Sequence, residues 1–371
     1  MRKGRLRSGY TTGACAAAAA KAALQLLEED FQIKPAEVSI PFPDGSRATF
    51  RIHGYGKRND SCFASVIKDA GDDPDVTNGA EIIADARFHY CCGNERIIIR
   101  GGDGVGVVTK PGLAVQVGSA AINPVPQKMI REAVSEAMCK AKAHYPETEQ
   151  NFNSRRSVEI TISVADGKSL ALKTLNGRLG IVGGISILGT TGVVKPLSAE
   201  AWTATIAASM DVAKATGLSE IVLSAGRASE NAHIKKYGLP EESYVMMGDY
   251  LQFSLNEAAS RRFAKVHICA QWAKMLKIAM ATPQTHVRHG AIDVSQAAKF
   301  LEGLGTELPE NIAFNTAREI FDWLMLNALD KQSTLIKVCN AAKLYALNIA
   351  DQVYISAVLV SYSGEIIACS S

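Results

Sequence analysis

The sequence predicts a protein of class α/β and α+β with two domains. An N-terminal mixed α+β domain with a largely antiparallel sheet covers residues 1–195, and a C-terminal Rossmann-like α/β domain covers residues 196–371. Three observations lead there. The chain has 371 residues, and at roughly 150 residues per domain it holds two or three domains, each able to bury a core. Its first half carries one long helical run followed by short segments of alternating polarity. Its second half alternates helical and strand-like segments, the rhythm of a parallel sheet with crossover helices. The boundary is set near Pro196, although no low-complexity linker marks it and no periodic repeat divides the chain.

Residues 13–30 form an alanine-rich helix with Thr11 or Thr12 as its N-cap. Residues 37–42 and 47–53 alternate around Pro43-Asp-Gly45 and make a hairpin. Residues 61–68, 80–91 and 95–100 read as strands. Residues 127–144 place Met129, Ile130, Ala133, Val134, Ala137 and Met138 at helical spacing. Residues 158–164 and 169–173 are expected to form a second hairpin around Asp166-Gly167. After the boundary, helices are expected at 199–216, 230–237, 251–263, 272–281, 294–304, 312–329 and 334–347. Strands are expected at 220–224, 243–247, 265–269, 353–360 and 365–368.

Composition limits the function. Forty Lys and Arg against 37 Asp and Glu give a net charge of +3. That is too balanced for a protein that coats nucleic acid or an anionic membrane, so neither is expected as a partner. The longest uncharged apolar run, residues 179–194, contains five glycines and is too short for a bilayer span of about 20 residues. The basic start has no apolar run behind it, so no secretory segment is expected. The eight cysteines show no Cys-x-x-Cys, and Cys91 and Cys92 are adjacent. Reduced thiols in a cytoplasmic protein are the expectation, with no zinc site. His286 and His289 share a loop but lack a nameable third ligand. The oligomeric state is open, a homo-oligomer included.

Four segments concentrate Gly, Thr and Asp. Arg7-Ser-Gly-Tyr-Thr-Thr-Gly13 opens the long helix, and Arg5 and Arg7 add charge to amides that suit an anion. A plain N-cap explains the same residues. Lys68-Asp-Ala-Gly-Asp-Asp-Pro-Asp-Val-Thr77 clusters Asp69, Asp72, Asp73 and Asp75, suited to a base or to gripping a cationic group, or else to a solvated acidic turn. Its spacing is not that of a calcium loop. Arg100-Gly-Gly-Asp-Gly-Val-Gly106 follows a strand but opens no helix and lacks Gly-Lys-Ser/Thr, so the dinucleotide and phosphate-loop readings fail on context. The fourth segment, residues 174–192, brackets an apolar stretch with Gly183-Gly184 and Thr190-Thr191-Gly192. Glycine this dense weakens a strand and points to something packed on bare backbone.

Together these segments resemble the CbiD-type cobalt-precorrin-5B C(1)-methyltransferases of anaerobic cobalamin biosynthesis. The matching text runs in order from residue 5 to 200: Arg7-x-Gly-Tyr-Thr-Thr-Gly-x-Cys-Ala16, the 68–77 segment, Gly101 to Gly106 with Lys110-Pro-Gly-Leu113, Ala121-Ile-Asn-Pro-Val-Pro126, and 173–192. The second half matches more thinly. Gly248-Asp-Tyr250 stands for Gly-Asn-Phe, Ala270-Gln-Trp-Ala-Lys274 keeps only the lysine of Gly-His-Pro-Gly-Lys, and Thr285-His286 fits.

The resemblance implies S-adenosyl-L-methionine as methyl donor and a cobalt corrinoid as substrate. The substrate carbon is the nucleophile and cobalt arrives inside the substrate, so the protein needs no metal of its own. On this reading Asp69, Asp72 and Asp73 are the catalytic carboxylates. Arg7, Thr11, Thr12, Gly13, Lys110, Arg178 and Lys195 hold substrate carboxylates. Gly101, Gly102, Gly104, Gly106, Gly183, Gly184, Thr190 and Thr191 receive the donor. Two other classes stay open from the residues alone. One is a phosphate-binding small-molecule kinase using residues 101–106, which ATP rather than S-adenosylhomocysteine would stabilise. The other is a non-catalytic corrinoid carrier, which would bind the macrocycle without methyl transfer.

Overall fold

A computed structural model describes residues 6–32, 34–90, 96–142, 156–196, 198–282, 292–309 and 314–371. The chain divides into two compact units, Met1–Ser198 and Ala199–Ser371.

The first unit begins with a two-residue strand β1 (Gly9–Tyr10) and then helix α1 (Thr12–Glu28), capped by the Thr11 hydroxyl, which accepts from the Ala14 N–H at 3.1 Å. Every residue from Thr12 to Leu24 is buried. Alanine makes that feasible: a helix this thin lets neighbours approach on all sides. A hairpin comes next, β2 (Glu37–Pro41) and β3 (Arg47–Arg51), then β4 (Gly54–Arg58), β5 (Ser61–Ile67), β6 (Glu81–Tyr90), β7 (Ile97–Gly101), β8 (Gly104–Val105) and β9 (Val107–Val108). Helix α2 (Pro124–Lys142), β10 (Arg156–Val164), α3 (Gly167–Ala171), β11 (Ile181–Val182), β12 (Gly184–Ile185) and β13 (Val193–Val194) complete the unit. The main sheet has the order β4-β5-β6-β10-β7 and is antiparallel except for β10 with β7. Helix α1 packs on α2, β5 and β6 in one apolar cluster.

The second unit runs α4 (Ala199–Ala215), β14 (Glu220–Ser224), α5 (Arg227–Tyr237), β15 (Tyr244–Met246), α6 (Leu251–Ser260), β16 (Lys265–Gln271), α7 (Trp272–Ala279), α8 (Val294–Gly303), α9 (Ala317–Asn327), α10 (Lys331–Leu347), β17 (Tyr354–Val360) and β18 (Ile366–Cys369). Its sheet has the order β15-β14-β16-β17-β18, parallel except for the last strand. Both faces are covered. Ile221 and Leu223 join a large cluster with Leu255, Trp272 and Leu335, while Val222 meets Ala232 and Val358 on the other side. A strand buried on both faces reads as a continuous apolar run, which is why 220–224 lacks alternation.

Two differences from the sequence reading stand out. Residues 169–173 do not form a strand: Gly167–Ala171 is a short helix started by Asp166 at φ 55°. Strand β4 and the two-residue strands β8, β9 and β11–β13 are too short or too glycine-rich to carry a period. Among the described residues no helix is long and apolar enough to cross a membrane. Arg5, Cys91, Cys92, His286 and His289 lie outside the described residues.

Candidate functional site

The acidic loop is closed from within. Lys68, fully buried, pairs with Asp75 at 2.5 Å, and Asp75 also accepts from the Thr77 N–H and hydroxyl at 2.7 Å. Burial pushes the Asp75 carboxyl up, but Lys68 and Thr77 outweigh it and leave it below the usual range. The loop then clasps the first segment. Arg7 makes a two-pronged bond to Asp69, at 2.5 and 2.9 Å, and its N–H donates to Asp72 at 2.6 Å while the Asp72 N–H donates back to the Arg7 carbonyl. The backbones are in contact here: a Cβ on Gly9 would lie 2.1 Å from Ala70, and one on Gly71 2.2 Å from the Arg7 carbonyl oxygen. The Arg7 hydrogen bond, with the Gly71 N–H, holds Asp69 below the usual carboxylate range. Asp72 is exposed and Asp73 half-buried.

The same first segment is bound on its other side to residues 188–194. Strand β1 pairs antiparallel with β13. The Thr12 hydroxyl accepts from the Leu188 N–H at 2.9 Å and donates to the Leu188 carbonyl at 3.2 Å, and Gly13 N–H donates to that carbonyl at 3.0 Å. Thr11 N–H donates to Gly192. Thr11, Thr12 and Gly13 are buried. The expectation that this helix mouth offers its amides to an anion is therefore corrected: those groups are turned to Leu188, Gly192 and the Thr11 hydroxyl.

The third and fourth segments meet glycine to glycine. Strands β8 and β12 pair parallel, and β9 and β11 antiparallel. A Cβ on Gly184 or Gly167 would fall 2.2 Å from the Gly104 carbonyl oxygen, and one on Gly104 2.1 Å from that of Val164. Gly101 abuts Ala120, Gly102 abuts Ser163, and Gly106 abuts Ile181. Packing within the protein accounts for each of these five predicted glycines. Gly183, at φ 85°, has open space where a Cβ would be. Lys110 donates to the Arg178 carbonyl at 3.3 Å and covers Gly180. Thr191 caps the turn into β13 through Val193, and Thr190, Thr191 and Lys195 are exposed.

One face of the resulting ribbon is left open. Ile181 and Val108 point into a small core with Val115 and Ala121, so their neighbours Val182 and Val107, opposite each other in register, point outward and are exposed. With Gly183 beside Val182, this is an apolar face near Lys110, Arg178, Thr190 and Thr191 in sequence. A separate cleft of about 990 Å³ runs beside α1, α2 and the β2–β3 hairpin. It is lined by Lys21, Arg47, Arg131 and Glu136 among others, and by none of the predicted site residues.

The family model for CbiD matches residues 1–196. This chain belongs to the CbiD family. A cobalt-precorrin-5B C(1)-methyltransferase from Desulfotalea psychrophila is 49% identical over 371 residues, covering 98% of this chain and 97% of that protein. One from Geobacter metallireducens is 43% identical over 378 residues, with 98% of each covered. A crystal structure of the cobalamin biosynthesis protein CbiD from Archaeoglobus fulgidus matches at 29% identity over 74% of this chain and 79% of that chain, with a TM-score of 0.38.

In this CbiD-family chain the second unit also gathers polar groups that the sequence reading left unassigned. The two places where its text departs from the family pattern meet: Lys274 pairs with Asp249 at 3.0 Å and donates to the Ala225 carbonyl at 2.7 Å. Near the other end of the sheet, Glu220, His267 and Ser356 form a line across β14, β16 and β17, at 2.5 and 2.6 Å, beside the buried His233. Only the strand register brings them together, and no local spacing signals it. Among the described residues no group of three His, Cys, Asp or Glu is placed to hold a metal.

Proposed function

We propose that this protein is a cobalt-precorrin-5B C(1)-methyltransferase, transferring a methyl group from S-adenosyl-L-methionine to C1 of the ring-contracted cobalt corrinoid to give cobalt-precorrin-6A. The observation that carries the reading is near-full-length similarity, at 49% identity, to a protein of that name. The fold is compatible. Residues from all four glycine-, threonine- and aspartate-rich segments are locked into the first unit, where an apolar, partly glycine-built face at Val107, Val182 and Gly183 suits a flat macrocycle. Lys110, Arg178 and Lys195 are the cations offered to the substrate's peripheral carboxylates, and Thr190 and Thr191 supply exposed hydroxyls.

The acceptor carbon is conjugated to a pyrrole-type nitrogen and attacks the methyl in line with the departing sulfur. The protein's work is alignment, with reacting atoms about 3–3.5 Å apart, and exclusion of water. Asp72 and Asp73 are the carboxylates proposed to take the compensating proton or to offset cationic charge. Asp69, bound by Arg7 and held below the usual range, is the weaker base. Arg7 is then a positioning residue that fixes the acidic loop. We read the second unit, with its parallel sheet and crossover helices, as Rossmann-like, and place the reaction in the cytoplasm. The test is incubation of the purified chain with cobalt-precorrin-5B and methyl-labelled S-adenosyl-L-methionine. One labelled methyl on the corrinoid is expected. Corrinoid binding without label in the product would return the protein to the class of carriers.

A further inference from the structure

The second unit's sheet reverses its order at β14. The chain leaves β14 through α5 to reach β15 on one side, and leaves β15 through α6 to reach β16 on the other. The adjacent strands β14 and β16 therefore lead to opposite sides, β14 through α5 to β15 and β16 through α7 towards β17, and the crevice at the carboxyl ends beside such a switch point is where open parallel sheets receive their ligands. The side chains gathered at those ends are of three kinds. Lys274 lies beside Asp249 at 3.0 Å, and Lys277, one turn on, is buried near both. Trp202 is 46% exposed and stacks towards Tyr250 at 6.5 Å between centroids. Gly248, at φ 57°, lets the indole lie on the backbone: a Cβ there would sit 3.1 Å from the ring. The third kind is bare backbone. Gly226 caps α5 without a capping side chain and has open space where a Cβ would be. Glu230 in the same turn is turned to the buried side. Ser224, the last residue of β14 at the foot of this loop, has a fully buried hydroxyl with no hydrogen-bond partner among the described residues.

These groups match one kind of ligand better than any other: one with a flat aromatic base, a carboxylate and a neighbouring positive charge. We propose that this crevice is the site of the adenosyl methyl donor. The donor's adenine lies against Trp202, its carboxylate at the amino end of α5 and Lys274, and its ammonium and sulfonium charges towards Asp249. The inference rests on the methyltransferase reading but is separable from it, since that reading does not say where the donor sits. It also differs from the expectation that Gly101, Gly102, Gly104, Gly106 and Gly184 receive the donor, because protein atoms fill the space beside each of them.

The experiment is calorimetric titration of the full chain with S-adenosylhomocysteine. Lys274→Ala and Trp202→Ala are compared with Thr191→Val, in the first unit, and melting temperatures confirm folding. Loss of one charge-assisted bond or one stacking contact is expected to raise Kd roughly tenfold or more in the first two variants and to leave Thr191→Val as wild type. Trp202 is largely at the surface, so its variant tests the site even if Lys274→Ala loses stability. Unchanged Kd in both crevice variants overturns the proposal, as does weakening in Thr191→Val alone. Binding of AMP as tight as that of S-adenosylhomocysteine also overturns it, because only base and anion would then be read. If wild type binds S-adenosylhomocysteine and methylates the corrinoid while the crevice variants bind normally, only the crevice assignment falls. If wild type does neither, the methyltransferase reading falls as well.

Discussion

Two threonines and two aspartates show how a residue's role depends on where its polar atoms point. Thr12 looks like a binding residue in the sequence, yet it is 2% exposed and its hydroxyl both accepts from and donates to Leu188. Thr11 is buried likewise, its hydroxyl spent on the Ala14 N–H. Thr12→Val leaves the Leu188 N–H without its acceptor, so a loss of about 1–3 kcal/mol is expected, read from urea unfolding. A variant as stable as wild type would show that water replaces the hydroxyl at no cost. Asp69 is held by the Arg7 guanidinium, whereas Asp72 is exposed, with one oxygen accepting from the Arg7 N–H. Asp72→Asn keeps that acceptor, so stability is expected to move by less than about 0.5 kcal/mol while turnover falls. An unaltered kcat and KM would take Asp72 out of the chemistry.

At the scale of elements, the sequence was most legible where a segment carries its own period and least where its shape is set by a distant partner. The helices at 12–28 and 124–142 and the β2–β3 hairpin were readable from alanine content, apolar spacing and the Asp-Gly turn. The turn at Asp166-Gly167 was also visible, but the helix after it was not. Gly167 packs on Gly104, distant in sequence, and the chain coils into a short helix instead of returning as a strand. Glycine density was correctly suspicious and its cause was hidden, because a bare backbone facing a ligand and one facing another backbone read alike. The two are separable by mutation. Gly104→Ala places a methyl 2.1 Å from the Val164 carbonyl oxygen at φ 75°, and a loss of about 3 kcal/mol or more is expected. Gly183→Ala meets open space at φ 85°, so only the left-handed strain of about 1 kcal/mol is expected. Thermal unfolding compares them, and equal losses would mean that the close approach at Gly104 relaxes freely. Gly183→Ala is also expected to weaken corrinoid binding if its open face is the seat of the macrocycle.

The whole molecule has an acid limit set by both units. In the first, Lys21, with its side chain 5% exposed, depends on Glu136 at 2.5 Å and the Ser39 carbonyl, and Glu136 also holds Arg47. The Arg47 bonds, with Lys21 behind them, hold the Glu136 carboxyl down to about 2. A carboxylate with a depressed pKa stabilises the fold above its unfolded value and loses that stability as pH falls towards the folded one, here from about 4.5 to 2. In the second unit burial, with His267 behind it, pushes His233 down to about 4. Its ring accepts no proton where the unfolded chain does, so stability is lost as pH falls from about 6.5 to 4. The two windows do not overlap above pH 4.5, and between pH 6.5 and 4.5 the histidine term stands largely alone, with His267 pushed the same way by its burial. Wild-type unfolding free energy is therefore expected to fall between pH 7 and 4.5, by at most about 3 kcal/mol from His233. His233→Gln, neutral at every pH, is expected to be less stable than wild type at pH 7 but to flatten that decline. Glu136→Gln should lose about 3 kcal/mol at pH 7, by stranding Lys21, while leaving the decline between pH 6.5 and 4.5 in place. Urea titrations of the three proteins at pH 7, 5.5 and 4.5 decide it: a decline that survives His233→Gln in full takes that range away from His233 and leaves it to His267, whose burial pushes it the same way.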